Sequence, residues 1–367
     1  MSDRITQDLH ANRGRSTLLN FVAMTMLLSL GGVLGLSWVG VVAAQPAQPV
    51  SQYWQEIAHP GRARAHTLLR QARTQLESWR SLHSDSSGHS QRLSLLQAAI
   101  RRLSLARDLA PDDPDILFTL AQALARLPHE DRASAEQATD HYQALHDLDP
   151  VFAPDIVSFE LGLLHTRLGN YGSARRAYEQ TLSTTLLPSE NLALLARLNL
   201  AEVTMMDGAL AAAQAEYEHA IHAATRPEQL DIAVLARWGL AVTLDRMGES
   251  LRALEAARSA LATAGGTADI LRSDDVFFVP AFEIHYYLAL SQEAAAWEVS
   301  GETEPPWLEE RTRGPLLSTP ARRHLGEAVL SWRRFLSQGG RQSRWADSAQ
   351  THIDRLTAAL RRLRSPS

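Results

Sequence analysis

"FELGLLHTRLGNYGSARRAYEQTL" spans Phe159–Leu182, and two later stretches of the chain follow the same pattern with different residues. Thirty-nine positions further on, Leu198–Ile221 reads "LNLAEVTMMDGALAAAQAEYEHAI", and forty beyond that Trp238–Leu261 reads "WGLAVTLDRMGESLRALEAARSAL". Self-similarity at a nearly fixed spacing indicates a structural unit that stacks on copies of itself.

The three copies agree where helix packing needs one kind of residue. Each has a leucine followed by a small residue, a glycine seven positions later, and then two more small residues; between those two, the first two copies have a tyrosine and the third has an alanine. These positions are Leu161, Leu200 and Leu240; Gly162, Ala201 and Ala241; Gly169, Gly208 and Gly248; Ala174, Ala213 and Ala253; Tyr178, Tyr217 and Ala257; Thr181, Ala220 and Ala260. Small residues let two helices approach closely, and glycine ends a helix in the left-handed conformation. The pattern predicts helical hairpins, which must stack because one hairpin cannot bury both of its faces.

Weaker copies flank this core on both sides. Upstream hairpins are predicted from about Arg62 to Pro111 and from Leu117 to Pro150, and a downstream hairpin starts at Glu283 and includes Trp332. A final amphipathic helix would cap the stack, with its apolar face at Trp345, Ile353, Leu356 and Leu360.

The repeated pattern resembles the tetratricopeptide repeat (TPR) family, whose motif is W-x2-L-G-x2-Y, then A-x3-F, then P, with a period of about 34 residues. The longer spacing here suggests longer turns between hairpins, where Pro188 and Pro227 occur. The resemblance implies an all-α, right-handed solenoid of about six hairpins over 61–341 and a capping helix over 342–364. It also implies that the chain binds another protein or a peptide segment.

The N-terminal region predicts a membrane anchor. Phe21–Ala44 has 24 uncharged positions, and a spanning helix needs about 20. Arg4, Arg13 and Arg15 precede this run, whereas the next arginine is Arg62. By the positive-inside rule, 1–16 is a cytoplasmic tail, 17–44 a single-pass transmembrane helix, 45–60 a linker, and the repeat domain lies outside the cytoplasm.

Two features of this span leave alternatives open. A cleaved signal peptide is the rival interpretation, with secretion to the periplasm, although signal h-regions have about 7–15 apolar residues. Gly31 and Gly35 have the GxxxG spacing that can pair two spans, which would make the chain a homo-oligomer.

The composition of the chain argues against several classes of function. The net charge is -5, which disfavours a nucleic-acid partner, and the absence of cysteine excludes disulfides, thiolate metal sites and thiol nucleophiles. All 36 basic residues are arginine. The sequence contains no phosphate-binding glycine motif and no nucleophile elbow. The 14 histidines do not have the spacing of metal ligands. We therefore expect no cofactor, no metal and no enzymatic activity.

The family resemblance predicts where a partner binds. In that family the first helix of each hairpin lines the concave face, and the positions three before and five after the small residue point into it. The first set is Phe118, Phe159, Leu198, Trp238 and Tyr286, and the second is Arg126, Arg167, Met206, Arg246 and Ala294. The alternative is that the aromatic side chains of the first set pack on adjacent hairpins and stay partly covered. An insertion at 298–318 adds Trp307 after two prolines, either as an anchor for a partner or as a cover for the last hairpin.

The sequence favours a scaffold or assembly factor at the bacterial cell envelope, in the inner membrane with its repeats in the periplasm. The alternative is a regulatory or sensory module that binds a short peptide and signals through the membrane span.

Overall fold

The computed structural model describes residues 59–82, 89–128, 131–184, 189–273, 276–308 and 317–362. Thirteen α-helices and four short 3₁₀ turns make up the regular structure of these residues, and no strand occurs among them. The described residues divide into two compact units, one up to Thr184 and the other from Ser189 onward. Each unit consists of antiparallel helix pairs.

The first unit contains three hairpins in its described part. They are α1 (Pro60–Ser81) with α2 (His89–Leu109), α3 (Pro114–Ala125) with α4 (Arg132–Leu148), and α5 (Pro154–Arg167) with α6 (Tyr171–Ser183). Helices of one hairpin pack most extensively on each other, and α2 packs on α3 as α4 packs on α5. This sequential packing is typical of a repeat stack.

The second unit contains three more hairpins and one final helix. These are α7 (Glu190–Asp207) with α8 (Leu210–Ala223), α9 (Leu230–Arg246) with α10 (Ser250–Thr263), α11 (Ile284–Ser300) with α12 (Thr319–Ser337), and α13 (Ala346–Arg362). The first helices α7, α9 and α11 lie side by side, since α9 contacts both of the others. Six hairpins and a capping helix agree with the all-α solenoid predicted from the sequence.

The turn residues explain where the helices begin and end. Asp113 accepts a hydrogen bond from the Ile116 amide at 3.2 Å, and Asp131 accepts one from the Ser134 amide at 3.0 Å, so both act as N-caps. Glycines with a left-handed backbone follow the first helices of three hairpins. They are Gly169, Gly208 and Gly248, with φ of 75°, 94° and 84°.

The small residues predicted at the helix crossings are all buried: Gly162, Ala201 and Ala241 in first helices, and Ala174, Ala213 and Ala253 in second helices. The second-helix tyrosines pack on small residues of first helices. A Cβ atom on Gly162 would meet the ring of Tyr178, and one on Gly239 would meet that of Tyr217. Tyr178 fills its own hairpin, whereas Tyr217 also fills the space toward the next one.

The predicted cytoplasmic tail and transmembrane helix, and nearly all of the linker, lie outside the described residues. Among the helices that the structure describes, none combines the length and the apolar composition that crossing a bilayer requires.

Candidate partner-binding face

The aromatic residues predicted to face a partner in the first unit are core residues. The Phe118 ring packs edge-on against the rings of Tyr142 and Phe152, at centroid distances of 6.0 and 5.5 Å. Phe159 is fully buried and packs on Tyr178 at 5.9 Å. These rings turn toward neighbouring helices and not toward solvent.

The same holds in the second unit. Trp238 is fully buried, and Tyr286 is enclosed by Trp332 at 4.5 Å and Phe335 at 5.3 Å. Of the five positions three before the small residue, only Leu198 is half-exposed. The expectation of an open aromatic ladder is therefore corrected: all four rings are buried, and those of Phe118, Phe159 and Tyr286 pack against aromatic side chains of second helices. Whether a partner binds nearby stays a prediction.

The arginine positions serve the helix ends. Arg167 donates to the backbone carbonyls of Ala125 and Pro128, each at 2.8 Å, where α3 leaves carbonyls without helical partners. Arg126 donates to the Gln122 carbonyl at 2.6 Å and is nearly buried. In the second unit Met206 is half-buried and Ala294 is buried. The row therefore fastens hairpins together, whether or not it also touches a partner.

Arg246 is the most enclosed arginine of this set. Its guanidinium pairs with Glu283 and lies over the rings of Tyr286 and Trp345, at 4.8 and 4.9 Å from their centroids. Burial alone would lower the pKa of Arg246, but Glu283 raises it above its usual value. The buried cation is stabilised by a carboxylate and two aromatic faces.

Trp307 of the insertion is 3% exposed and folds back onto the last hairpin. Its indole Nε1 donates to Oε2 of Glu293 at 3.3 Å. In the structure Trp307 therefore covers the last hairpin, because its indole N–H is a hydrogen-bond donor to a buried carboxylate. Its use as an anchor for a partner would require that bond to break.

A polar cluster lies where α13 meets the face formed by α7, α9 and α11, which we call the first-helix face. The imidazole of His352 lies between two carboxylates. Its Nδ1 is 2.7 Å from Oε1 of Glu293, and its Nε2 is 3.0 Å from Oδ1 of Asp245. The ring also stacks on Trp332, with centroids 4.4 Å apart. We call Asp245, Glu293 and His352 the carboxylate–imidazole cluster.

Each carboxylate of this cluster has further donors. Glu293 accepts from the Trp332 indole at 2.8 Å, and Asp245 accepts from the Tyr286 hydroxyl at 2.6 Å. Buried carboxylates of this kind are stable when several donors share their charge.

The cluster holds its histidine in the charged form. Burial would lower the pKa of His352, but the charges of Asp245 and Glu293 outweigh burial and raise that pKa to about 9. Burial likewise opposes ionisation of Asp245 and Glu293, and His352 overcomes it, so the pKa of each carboxyl is below its usual value. Arg355 lies 2.8 Å from Nδ1 of His352 and 3.5 Å from Oε2 of Glu293, so Glu293 pairs with two adjacent cations.

This protonation state limits what the cluster can do chemically. Both ring nitrogens donate to carboxylates, so the imidazolium has no lone pair for a metal or for accepting a proton. Within the described residues, no group of three or more histidine, aspartate or glutamate side chains could hold a metal ion.

A second carboxylate on the first-helix face binds two tyrosines. Oε2 of Glu202 accepts from the hydroxyls of Tyr217 at 2.7 Å and Tyr287 at 2.8 Å. Burial, followed by the charge of Glu202, raises the pKa of both tyrosines well above the usual value. These two hydrogen bonds join α7 directly to α8 and to α11.

The cluster was missed from the sequence, although it had a signal. Asp245 and Glu293 occupy the same repeat position, four after the small residue. The equivalent residues in the three preceding hairpins are Ala125, Thr166 and Met205. His352 interrupts the apolar face of the capping helix beside Ile353 and Leu356. Two aligned acids and one histidine on a buried face together would have indicated an ion-pair cluster.

The hairpins, their small-residue crossings and their glycine turns repeat through both units. The fold is an all-α stack of helical hairpins, as the resemblance to tetratricopeptide repeats implies. No family model matches the chain, and no curated protein matches it.

Two solved structures are similar to it. One is the TPR domain of P58(IPK), with 11% identity and a TM-score of 0.39 over 89% of this chain and 73% of that one. The other is from the APC/C hetero-tetramer Cut9-Hcn1, with 12% identity and a TM-score of 0.44 over 94% of this chain. This chain spans about half of that one, namely 54%.

Proposed function

We propose that the chain is a scaffold or assembly factor that holds a partner polypeptide on its helical repeats. The observation that carries this proposal is the seating of α13. Residues 344–355 contact three successive first helices, through Asp207, Asp245 and Glu293. The first-helix face is thus built to hold a helical segment.

The proposal includes a place in the cell. The uncharged run Phe21–Ala44 and the arginines before it support an anchor in the inner membrane of a bacterial envelope, with the repeats in the periplasm. A membrane-held repeat domain would keep its partner close to the bilayer and raise its effective concentration there.

Affinity purification of the tagged full chain from native membranes tests the proposal. We expect one or a few chains to co-purify at a fixed ratio after gentle crosslinking. The control is the same tag on an unrelated single-span protein. Recovery of the chain alone, or of the same proteins as with the control, would contradict a scaffold role.

A regulatory module is the second candidate, and one observation favours it. The first-helix face is already occupied by a segment of the same chain, as in a receptor that is closed until its ligand arrives. Under this alternative, partner recovery would depend on the state of the C-terminal helix, whereas a constitutive scaffold would recover its partner regardless.

A further inference from the structure

The segment 343–362, which we call the C-terminal segment, contacts the first-helix face with one side of its helix. Arg344, just before α13, donates to the Asp207 carbonyl at 3.1 Å, and Trp345 covers Arg246. Ser348 lies 3.2 Å from the Tyr286 hydroxyl, and His352 lies between the two carboxylates. Positions 345, 348 and 352 are spaced three and four apart, so they share one helical face.

This contact surface is more polar than the contacts within the hairpins. Hairpin crossings use alanine, glycine and aromatic rings, whereas the C-terminal segment adds a cation to two buried carboxylates. Removing the segment would leave Asp245 and Glu293 without their counter-charge. The vacated face would then present two carboxylates to solvent, and their negative charge would favour a helix that brings a cation.

The repeat itself does not require these acids. Three other hairpins have Ala125, Thr166 and Met205 at the same position and still pack in the same way. Asp245 and Glu293 occur only in the two hairpins that receive His352. The charges are therefore matched to the seated helix and not to the stacking of hairpins.

We propose that the first-helix face of the second unit is a receptor for an amphipathic partner helix with an aromatic residue and, seven positions later, a cationic one. In the absence of that partner, the C-terminal segment occupies the receptor through Trp345 and His352. The inference rests on the proposed function and adds the chemistry of the partner and an intramolecular competitor. Charge complementarity to Asp245 and Glu293 selects a cation-bearing helix over an acidic one.

The experiment converts the C-terminal segment into an exchangeable ligand without changing its contacts. A protease site is inserted between the exposed residues Arg341 and Gln342 of the full chain, and the purified protein is cut. A fluorescent peptide with the sequence of residues 343–362 is then added, and its binding is followed by anisotropy. Matched peptides carry His352→Ala or, at an exposed neighbouring position, Thr351→Ala.

We expect the labelled peptide to bind the cut chain at least tenfold more tightly than the uncut chain, because only cutting allows the resident segment to leave. The Thr351→Ala peptide should bind like the unmodified one. The His352→Ala peptide should bind at least tenfold more weakly. A cut chain that carries Asp245→Asn and Glu293→Gln should lose the preference for histidine.

Several results would overturn the proposal. They are failure of the peptide to exchange, equal binding of the His352→Ala peptide, and loss of the helical spectrum on cutting, which would make α13 a fixed part of the core. An uncut chain that elutes as a dimer and exchanges segments would identify a second copy as the occupant. The peptide-exchange experiment uses no partner protein, so its failure would not contradict the scaffold proposal. Conversely, failure to recover a partner by affinity purification would not contradict the result of the peptide exchange.

Discussion

Gly239 lies where an added methyl group would meet the Tyr217 ring, so α9 approaches α8 more closely than any other residue type allows. Gly239→Ala should destabilise the second unit by about 1–3 kcal/mol through overpacking. Gly326→Ala is the matched control, because Gly326 lies inside α12 with open space around its Cα. It should stabilise by roughly 0.5–1 kcal/mol through helix propensity. Denaturant unfolding of both variants measures the difference, and equal effects would refute close packing at Gly239.

Ala201 tests the crossing inside one hairpin. It is fully buried where α7 meets α8, so Ala201→Leu should cost about 1–3 kcal/mol. Ala212 lies on the exposed side of α8, and Ala212→Leu should change stability by less than about 0.5 kcal/mol. A wild-type unfolding curve for the Ala201→Leu variant would contradict the assignment of this residue to the crossing.

His352 predicts how stability depends on pH. Its pKa of about 9 in the folded chain is above the ordinary 6.5, so its contribution is complete below pH 6.5 and is lost as pH rises through 9. That loss amounts to roughly 2–3 kcal/mol. The carboxyls of Asp245 and Glu293 have lowered pKa values, so their contribution disappears at acidic pH instead.

The control for this prediction is His352→Gln, which keeps a polar side chain but cannot titrate. Urea unfolding at pH 6.5 and pH 9.5 should show the loss of stability in the wild type and a much smaller one in the variant. An equal loss in both proteins would place the titrating group elsewhere.

Among the elements, the joints between successive hairpins depend on arginine. Arg167 at the end of α5 bonds to carbonyls at the end of α3, and a hydrogen bond to a charged group contributes about 1.5–3 kcal/mol. Arg167→Met keeps much of the aliphatic stem and removes the donors, so the first unit should lose stability by roughly that amount. Arg176→Met, at an exposed position of α6, should change little. Hydrogen exchange in α3 should accelerate only in the Arg167 variant.

The helices themselves could be predicted because the same pattern of packing residues recurs in several copies. The positions of Leu161, Gly169 and Ala174 recur in three copies, so chance agreement at one position does not mislead. The direction in which first-helix side chains point could not be predicted from the repeat pattern alone. Phe159 and Trp238 were assigned to an open face, yet both are fully buried. The core around Trp238 includes residues from Ala201 to Leu356, so its burial depends on neighbours far along the chain.

The carboxylate–imidazole cluster shows the same limit. Asp245 and His352 are separated by 107 positions, and no local rule joins an acid in one repeat to a histidine in the capping helix. The repeat alignment identifies Asp245 and Glu293 as equivalent to each other. Only the three-dimensional path of α13 brings His352 between them.

At the scale of the whole molecule, charge is distributed in a way that bears on the membrane. The first 16 residues contain three arginines, whereas Ala44 is followed by 17 positions without one, although the chain as a whole has 36 basic and 41 acidic residues and a net charge of -5. A chain of near-balanced charge with this asymmetry around a long apolar run favours one orientation in a bilayer.

That orientation is tested by a pair of reporters fused after Ser367, one active only outside the cytoplasm and one active only inside it. We expect activity from the outside reporter alone, because the positive-inside rule predicts that arginines before the apolar run keep the N-terminus in the cytoplasm. Replacing Arg4, Arg13 and Arg15 with glutamine should shift part of the population to the opposite orientation, whereas the same change at Arg341, Arg344 and Arg361 should not, since these lie far from the run. Carbonate extraction then separates the retained anchor from the cleaved signal peptide, because a retained helix keeps the chain in the membrane pellet. Activity of the inside reporter with the unmodified chain would refute the periplasmic placement of the repeats, and with it the proposal that the partner is a protein of the cell envelope.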